Sequence, residues 1–122
     1  MSRFQNTLKT EQLGKWNRVL LDNLTYVDDE LGAITVPGGF VTDFASVKAL
    51  HNVFLFVLYA LVAGYGNYAS TVHDWLYVQA TYPRAQCDQV LYRALRAEGV
   101  AKWRAALFWA GVRLGGRRHY QG

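Results

Sequence analysis

Apolar and polar positions follow one pattern in the first third of the chain and a different one afterwards. Between residues 16 and 47, short runs of β-branched and aromatic residues alternate with turn-forming residues, which is typical of strands. The segment DDELG at 28–32 lies between two such runs and predicts a hairpin connection. This part therefore predicts a small antiparallel β layer, with strands at 16–21, 24–27, 33–36 and 40–42.

Beyond residue 51, residues typical of helix ends replace the strand pattern. Asparagine and proline stand where helices would begin and glycine where they would end. In the central helices the apolar residues recur at spacings of three and four, as one face of a helix requires. The predicted helices cover residues 52–63, 67–81, 83–99 and 101–114. Because the turn between the second and the third is short, they should form a central antiparallel helix hairpin.

These patterns predict the α+β class, with a β-rich part at about 16–47 and about four helices at about 52–116. No linker, repeat or low-complexity stretch interrupts the chain, so we expect a single domain over residues 1–122. With 52% hydrophobic and 18% charged residues, the chain is expected to bury a core. Its one cysteine, Cys87, excludes an intrachain disulfide and is expected to be a core residue.

Membrane and secretion signals are weak. The first ten residues are polar and do not resemble a signal peptide. The longest apolar run, residues 53–63, has 11 residues, whereas a transmembrane helix needs about 20. We therefore expect no transmembrane span, and the run is interpreted as a buried helix or as one that contacts a membrane surface.

Charge is unevenly distributed. Residues 84–122 carry eight basic and two acidic residues, whereas residues 1–83 carry five basic and seven acidic ones. The basic part can contact phosphate or an acidic partner protein, or it can be a solvated helix face with a loose tail. No nucleic-acid-binding motif is present, and we expect no nucleic-acid partner.

The helix hairpin brings a histidine and a carboxylate to the same height. His73 lies on the apolar stripe of one helix, and Asp88 lies at the edge of the stripe of the next, equally far from the turn. A carboxylate that faces a core needs a partner, so we predict a His73–Asp88 hydrogen bond. Asp74, rotated by about 100° along the helix, should lie beside the pair. Such a pair is the base half of many hydrolytic sites, and it is also a common structural contact.

A second candidate segment, TDFAS at 42–46, follows a predicted strand and precedes a predicted helix. Asp43 in this position can add a carboxylate to the cluster, and it can equally be a turn or cap residue. Ser46 can be a nucleophile for His73, although no Gly-x-Ser-x-Gly elbow surrounds it.

The order of several motifs resembles a family common in bacteriophage and prophage genomes, catalogued as domain of unknown function 1353. The resemblance covers about residues 34–116 and departs from the family at Val47, where proline is usual. It implies phage origin and no established activity, and it adds Arg84 and Arg113 to the candidate residues. The motifs are TDFAS at 42–46, HDWLY at 73–77, Arg84 with Asp88, Gly99-Val100 and Val112-Arg113.

The segment HDWLY also resembles the His-Asp-x-Cys-Tyr helix of secreted and prokaryotic phospholipases A2. The departures are Leu76 in place of the cysteine, the lack of disulfides, and a Gly-rich segment at 64–66 that lies closer to the histidine. A segment of this kind can donate carbonyl ligands to calcium. The resemblance implies His73 as the base, Asp74 as a calcium ligand, Asp88 as the orienting carboxylate and Tyr77 as its support.

Our leading hypothesis is a small bacteriophage protein with a metal-assisted, hydrolase-like site. His73 and Asp88 would be catalytic, and Asp74 and Asp43 would hold a divalent ion such as Ca²⁺. The supporting residues would be Tyr77, Arg84, Ser46 and Arg113.

Two alternatives remain open. The first is a non-catalytic virion (tail or neck) or assembly protein whose His/Asp/Arg cluster is a structural polar lock. The second is a phage effector that binds a host protein through its basic, aromatic C-terminal region. The expected partners are thus other phage structural proteins or a host protein, and the expected location is the host cytoplasm or the virion. An enzyme should have a solvent-reachable pocket at His73, whereas a virion component should have a closed cluster.

Overall fold

The computed structural model describes residues 2–14, 17–42 and 67–115. Within them, six short strands precede three helices, which confirms the α+β class. The predicted helix at 52–63 and the Gly-rich segment at 64–66 lie outside the described residues, as do Asp43 and Ser46. The elements are β1 (Arg3–Phe4), β2 (Thr10–Gln12), β3 (Arg18–Leu20), β4 (Leu24–Asp28), β5 (Gly32–Val36), β6 (Val41–Thr42), α1 (Asn67–Gln79), α2 (Arg84–Glu98) and α3 (Lys102–Gly115).

The strands form two antiparallel three-stranded sheets, in the orders β1-β4-β5 and β2-β3-β6. The sequence predicted one β layer that begins near residue 16, and this was wrong in two respects. Strands β1 and β2 come earlier, and they pair with different partners, β1 with β4 and β2 with β3. Each has only two or three residues, too few to show the alternation by which strands are recognised.

The β4–β5 hairpin is confirmed, and a carboxylate fixes its turn. Asp28 pairs with Gly32 in the register of the two strands, so residues 29–31 form the loop. The Asp28 carboxylate accepts hydrogen bonds from the backbone N–H groups of Glu30 and Leu31, each at 3.1 Å. Gly32 has a φ of +78°, a conformation that side chains disfavour.

The central helix hairpin is also confirmed. The backbone N–H of Ala69 donates to the Glu98 carboxylate, and His73 is hydrogen-bonded to Asp88. Ala69, near the start of α1, thus contacts the end of α2, whereas His73, later on α1, contacts an earlier position on α2. The two helices therefore run antiparallel. No helix in the described ranges is long and apolar enough to span a membrane.

The hydrophobic core lies between the β1-β4-β5 sheet and the helices. Its side chains come from alternate positions of β4 and β5 and from the apolar stripes of all three helices, as period-two and period-3.6 patterns require. Cys87, predicted to be a core residue, is 0% exposed. The largest fully buried side chains include Tyr26, Tyr77, Phe108, Leu20, Leu24, Leu91 and Leu95.

Candidate functional site

Asp88 is the centre of a buried hydrogen-bonded cluster between the three helices. His73 Nε2 lies 2.7 Å from Asp88 Oδ1, which also accepts a hydrogen bond from the Tyr77 hydroxyl. Arg113 Nη1 donates to the other carboxylate oxygen at 2.8 Å. The His73–Asp88 contact was predicted from the hairpin geometry, and it is confirmed. Tyr77, one turn after His73 on α1, contacts the carboxylate as its predicted supporting role requires.

The cluster keeps Asp88 ionised. Burial alone would raise the pKa of the Asp88 carboxyl, but the hydrogen bonds from its three donors outweigh burial and hold the pKa below the usual range. Burial and the neighbouring carboxylate raise the pKa of the Tyr77 hydroxyl, so Tyr77 stays a phenol that donates. Because an ionised carboxylate only accepts, His73 Nε2 must carry the proton. In the neutral imidazole, Nδ1 is then the nitrogen that can accept a proton.

Arg84 supports this cluster through the end of α3, and it also interacts with the Tyr77 side chain. Its Nη2 donates to the backbone carbonyls of Val112 and Arg113, at 2.6 and 3.0 Å. These carbonyls belong to the last turn of α3, where carbonyl groups lack helical partners and a positive charge is favourable. Arg84 therefore fixes the end of the helix that carries Arg113, and Arg113 in turn binds Asp88.

The Gly99-Val100 motif is explained by the way α2 ends. Gly99 has a φ of 100°, its N–H donates to the Arg96 carbonyl, and the Val100 N–H donates to the Leu95 carbonyl. This is the usual glycine termination of a helix, accompanied by a buried apolar residue. The motif sets the direction in which the chain enters α3.

Asp74 lies next to the pair on α1 and is 6% exposed. Its carboxylate accepts a hydrogen bond from the Thr42 hydroxyl, which links β6 to α1. Across residues 2–14, 17–42 and 67–115, no group of three or more His, Cys, Asp or Glu side chains could hold a metal ion. Calcium takes about six to eight oxygen ligands, and Asp74 supplies one carboxylate. The predicted metal pair includes Asp43, so it stays a prediction.

A second buried ion pair joins α2 to the β4–β5 hairpin, and the sequence did not predict it. Arg93 Nε and Nη2 each donate to the Asp28 carboxylate at 3.0 Å, and the Tyr26 hydroxyl donates to it at 2.6 Å. Burial alone would raise the pKa of Asp28, but these hydrogen bonds lower it. The sequence pattern of β4 indicates that Asp28 is buried and needs a partner, because alternation places Leu24, Tyr26 and Asp28 on one inward face.

Solvent has almost no access to the His73 cluster. His73 is 1% exposed and Asp88 is 0% exposed, whereas the side chain of Arg113 keeps 33% exposure. A buried ion pair of this kind is stable when every donor has an acceptor, as is the case for the three donors to Asp88. The arrangement can hold a histidine in one tautomer, and it can equally fix three helices in one packing.

Comparison with known proteins gives a family but no activity. A family model described as "Protein of unknown function (DUF1353)" matches residues 16–112 of the chain. The match includes strands β3 to β6 and all three helices up to Val112. No curated protein and no solved structure matches the chain.

Proposed function

Because the chain belongs to the DUF1353 family, for which no function is described, we propose a function from its site: a phage-encoded, hydrolase-like protein in which His73 is the general base. The observation that carries this proposal is the 2.7 Å contact between His73 Nε2 and an Asp88 carboxylate held by two further donors. This is the arrangement by which a carboxylate orients a catalytic imidazole.

The proposed step is activation of water. His73 Nδ1 accepts a proton from a water molecule, whose oxygen then attacks the substrate carbonyl or phosphoryl group. The bond between that group and the leaving group breaks, and the leaving group takes the proton from the His73 imidazolium. Asp88 stabilises the imidazolium that forms, while Tyr77 and Arg113 keep the carboxylate in place. General bases of this kind accelerate reactions by about 10²- to 10⁴-fold. The burial of His73 requires that substrate binding open a path to the ring.

Screening for hydrolysis tests the proposal. Wild type is incubated with p-nitrophenyl esters, p-nitrophenyl phosphate esters and phospholipid vesicles, beside Asp88→Asn. We expect the wild type to hydrolyse one class and Asp88→Asn to lose most of that rate, because its amide cannot stabilise the imidazolium. Asp22→Asn is the matched control, since Asp22 forms only an exposed pair with Lys9. Equal rates for wild type and Asp88→Asn would refute the assignment.

The metal part of the proposal has a separate test. If Asp74 and Asp43 hold calcium, then Ca²⁺ should raise the melting temperature of the wild type, because binding to the native state stabilises it. Asp74→Asn should abolish this shift while it keeps an acceptor for the Thr42 hydroxyl. A shift that persists in Asp74→Asn would remove Asp74 from the metal site.

The burial of the cluster favours a second candidate, a non-catalytic virion or assembly protein. His73 at 1% and Asp88 at 0% exposure would then form a polar lock that specifies the packing of the three helices. The triple variant His73→Leu, Tyr77→Phe and Asp88→Leu separates the two candidates. A lock can be replaced by apolar residues with little loss of stability or assembly, whereas an enzyme would lose its activity.

A further inference from the structure

Strand β5 lies at the edge of its sheet, and one side of its backbone is open. The order β1-β4-β5 gives β5 one neighbouring strand, β4. Thr25 of β4 turns its N–H and C=O towards β1, where they bind the Asn6 side chain and the Gln5 N–H, each at 2.9 Å. Thr35 lies opposite Thr25 and therefore turns its own backbone groups away from β4. By alternation, the backbone groups of Ala33 also point outwards.

These outward groups are accessible and few. Ala33 and Thr35 are both exposed, and no residue of the described ranges hydrogen-bonds to their outward N–H and C=O groups. The next outward position is Pro37, which has no N–H. The open edge of β5 therefore presents two donors and two acceptors.

Strand β5 carries none of the features that usually protect a sheet edge. Charged residues, prolines and bulges keep natural edge strands from pairing with another chain. The sequence of β5, GAITV, contains no charge and no proline, and its register with β4 is continuous. The other edge strands in the described part of the chain have two or three residues, whereas β5 has five. Among these edges, β5 is thus the one that best suits a further strand.

We propose that the β5 edge is an interface between two copies of this chain. The two β5 strands pair antiparallel about a two-fold axis at Ile34, which sets Ala33 of one copy opposite Thr35 of the other. Each such pair exchanges N–H···O=C hydrogen bonds in both directions. Two pairs give four bonds, and every open group at the edge is then satisfied. This inference does not depend on the proposed hydrolytic activity.

The neighbouring residues favour this register over the two nearest alternatives. An axis at Ala33 would set Thr35 opposite Leu31, whose N–H already binds the Asp28 carboxylate at 3.1 Å. An axis at Thr35 would set Ala33 opposite Pro37, which has no N–H to donate. Only the axis at the intervening residue pairs all four groups.

A second copy fits this edge because the strand is complementary to itself. A two-fold interface requires that one surface match itself, and here the open donors and acceptors of β5 do so. No like charges meet, since residues 32–36 are uncharged. The two three-stranded sheets would join into one sheet of six strands. The contact is short beside the roughly 800 Å² per partner of a standard interface, so the dimer should dissociate on dilution.

Sedimentation of a concentration series tests the proposal with Thr35→Pro. This substitution removes the outward N–H and places the proline ring towards the second copy. The fold should tolerate it, because that N–H has no role in pairing with β4 and proline is accepted at such edge positions. We expect the dimer Kd to rise by about tenfold or more, since each copy loses one hydrogen bond across the interface.

Thr35→Val is the matched control. It loses the same 3.3 Å contact with the Thr25 hydroxyl but keeps the backbone N–H, so it should dimerise as the wild type does. Two double variants test the register. Ala33→Lys/Thr35→Lys sets like charges opposite each other and should be monomeric, whereas Ala33→Lys/Thr35→Glu sets opposite charges there and should dimerise. Melting curves should show that all variants are folded, and the double variants decide if Thr35→Pro is not.

Three results would overturn the proposal. The first is a wild type that stays monomeric up to about 1 mM. The second is a folded Thr35→Pro that dimerises as the wild type does, or a pair of double variants with equal Kd values. The third is a dimer that Thr35→Pro keeps and Trp109→Ala loses, because Trp109, 40% exposed on α3, would then be the contact.

Discussion

Asp88→Ala is the substitution whose effect on stability can be worked out most fully from the structure. Removal of the carboxylate leaves the His73 N–H and the Tyr77 hydroxyl without their acceptor, and these side chains are 1% and 2% exposed. Each orphaned buried donor costs about 1–3 kcal/mol. Arg113, at 33% exposure, can turn to water and adds less. Broken buried ion pairs cost about 3–5 kcal/mol, so we expect a loss in this range.

Urea and thermal unfolding measure this loss. The free energy of unfolding of a domain of this size is about 5–15 kcal/mol. Asp88→Ala should therefore fold at 25 °C if the wild-type value is above the lower part of this range. The melting temperature should fall by about 10–25 °C. Asp22→Ala, which removes an exposed ion pair with Lys9, should change the free energy of unfolding by less than about 0.5 kcal/mol. A loss below about 1 kcal/mol for Asp88→Ala would contradict the buried cluster.

Three further outcomes are expected. The folded-state pKa values of Asp28 and Asp88 are depressed, so their stabilisation is present above the ordinary carboxyl pKa of about 3.9 and is lost as the pH falls through the folded values. The free energy of unfolding of the wild type should thus decline below about pH 4, and that of Asp88→Asn should decline less steeply. A free energy of unfolding that does not change with pH would contradict this expectation. Gly99→Ala should lower the free energy of unfolding in urea by about 1–2 kcal/mol, because Gly99 has a φ of 100°, which an alanine side chain disfavours. No atom lies near the added methyl group, so the cost comes from the backbone conformation. An unchanged urea midpoint would show that glycine is not required at this helix end. Cys87 is 0% exposed, and burial raises the pKa of its thiol to about 11. A thiol reagent should therefore label Cys87 only as fast as local or global unfolding exposes it. Rapid labelling of the folded protein would contradict its burial.

The parts of the fold that the sequence predicted are those fixed by local periodicity. The spacing of apolar residues on α1 and α2, with a short turn between them, determines which residues face each other. That spacing is enough to pair His73 with Asp88, and the two side chains are indeed hydrogen-bonded. The same reasoning failed for β1 and β2, because two or three residues do not make a periodic pattern.

Contacts between segments that are distant along the chain could not be predicted from the sequence. Arg93 and Asp28 are 65 residues apart, and nothing local indicates that α2 packs against the β4–β5 hairpin. The role of Arg84 was hidden for a different reason. Its acceptors are backbone carbonyls at the end of α3, and a sequence does not show where a backbone group will lie in space.

The most direct test of the central claim is the hydrolytic rate per folded molecule of His73→Gln relative to the wild type. Glutamine keeps most of the side-chain volume and can still donate a hydrogen bond to Asp88, but it cannot act as a base. If His73 is the general base, the variant should remain folded and its rate should fall by about 10²-fold or more. A folded variant with the wild-type rate would contradict the claim, as would a loss of activity that only follows the loss of folded protein.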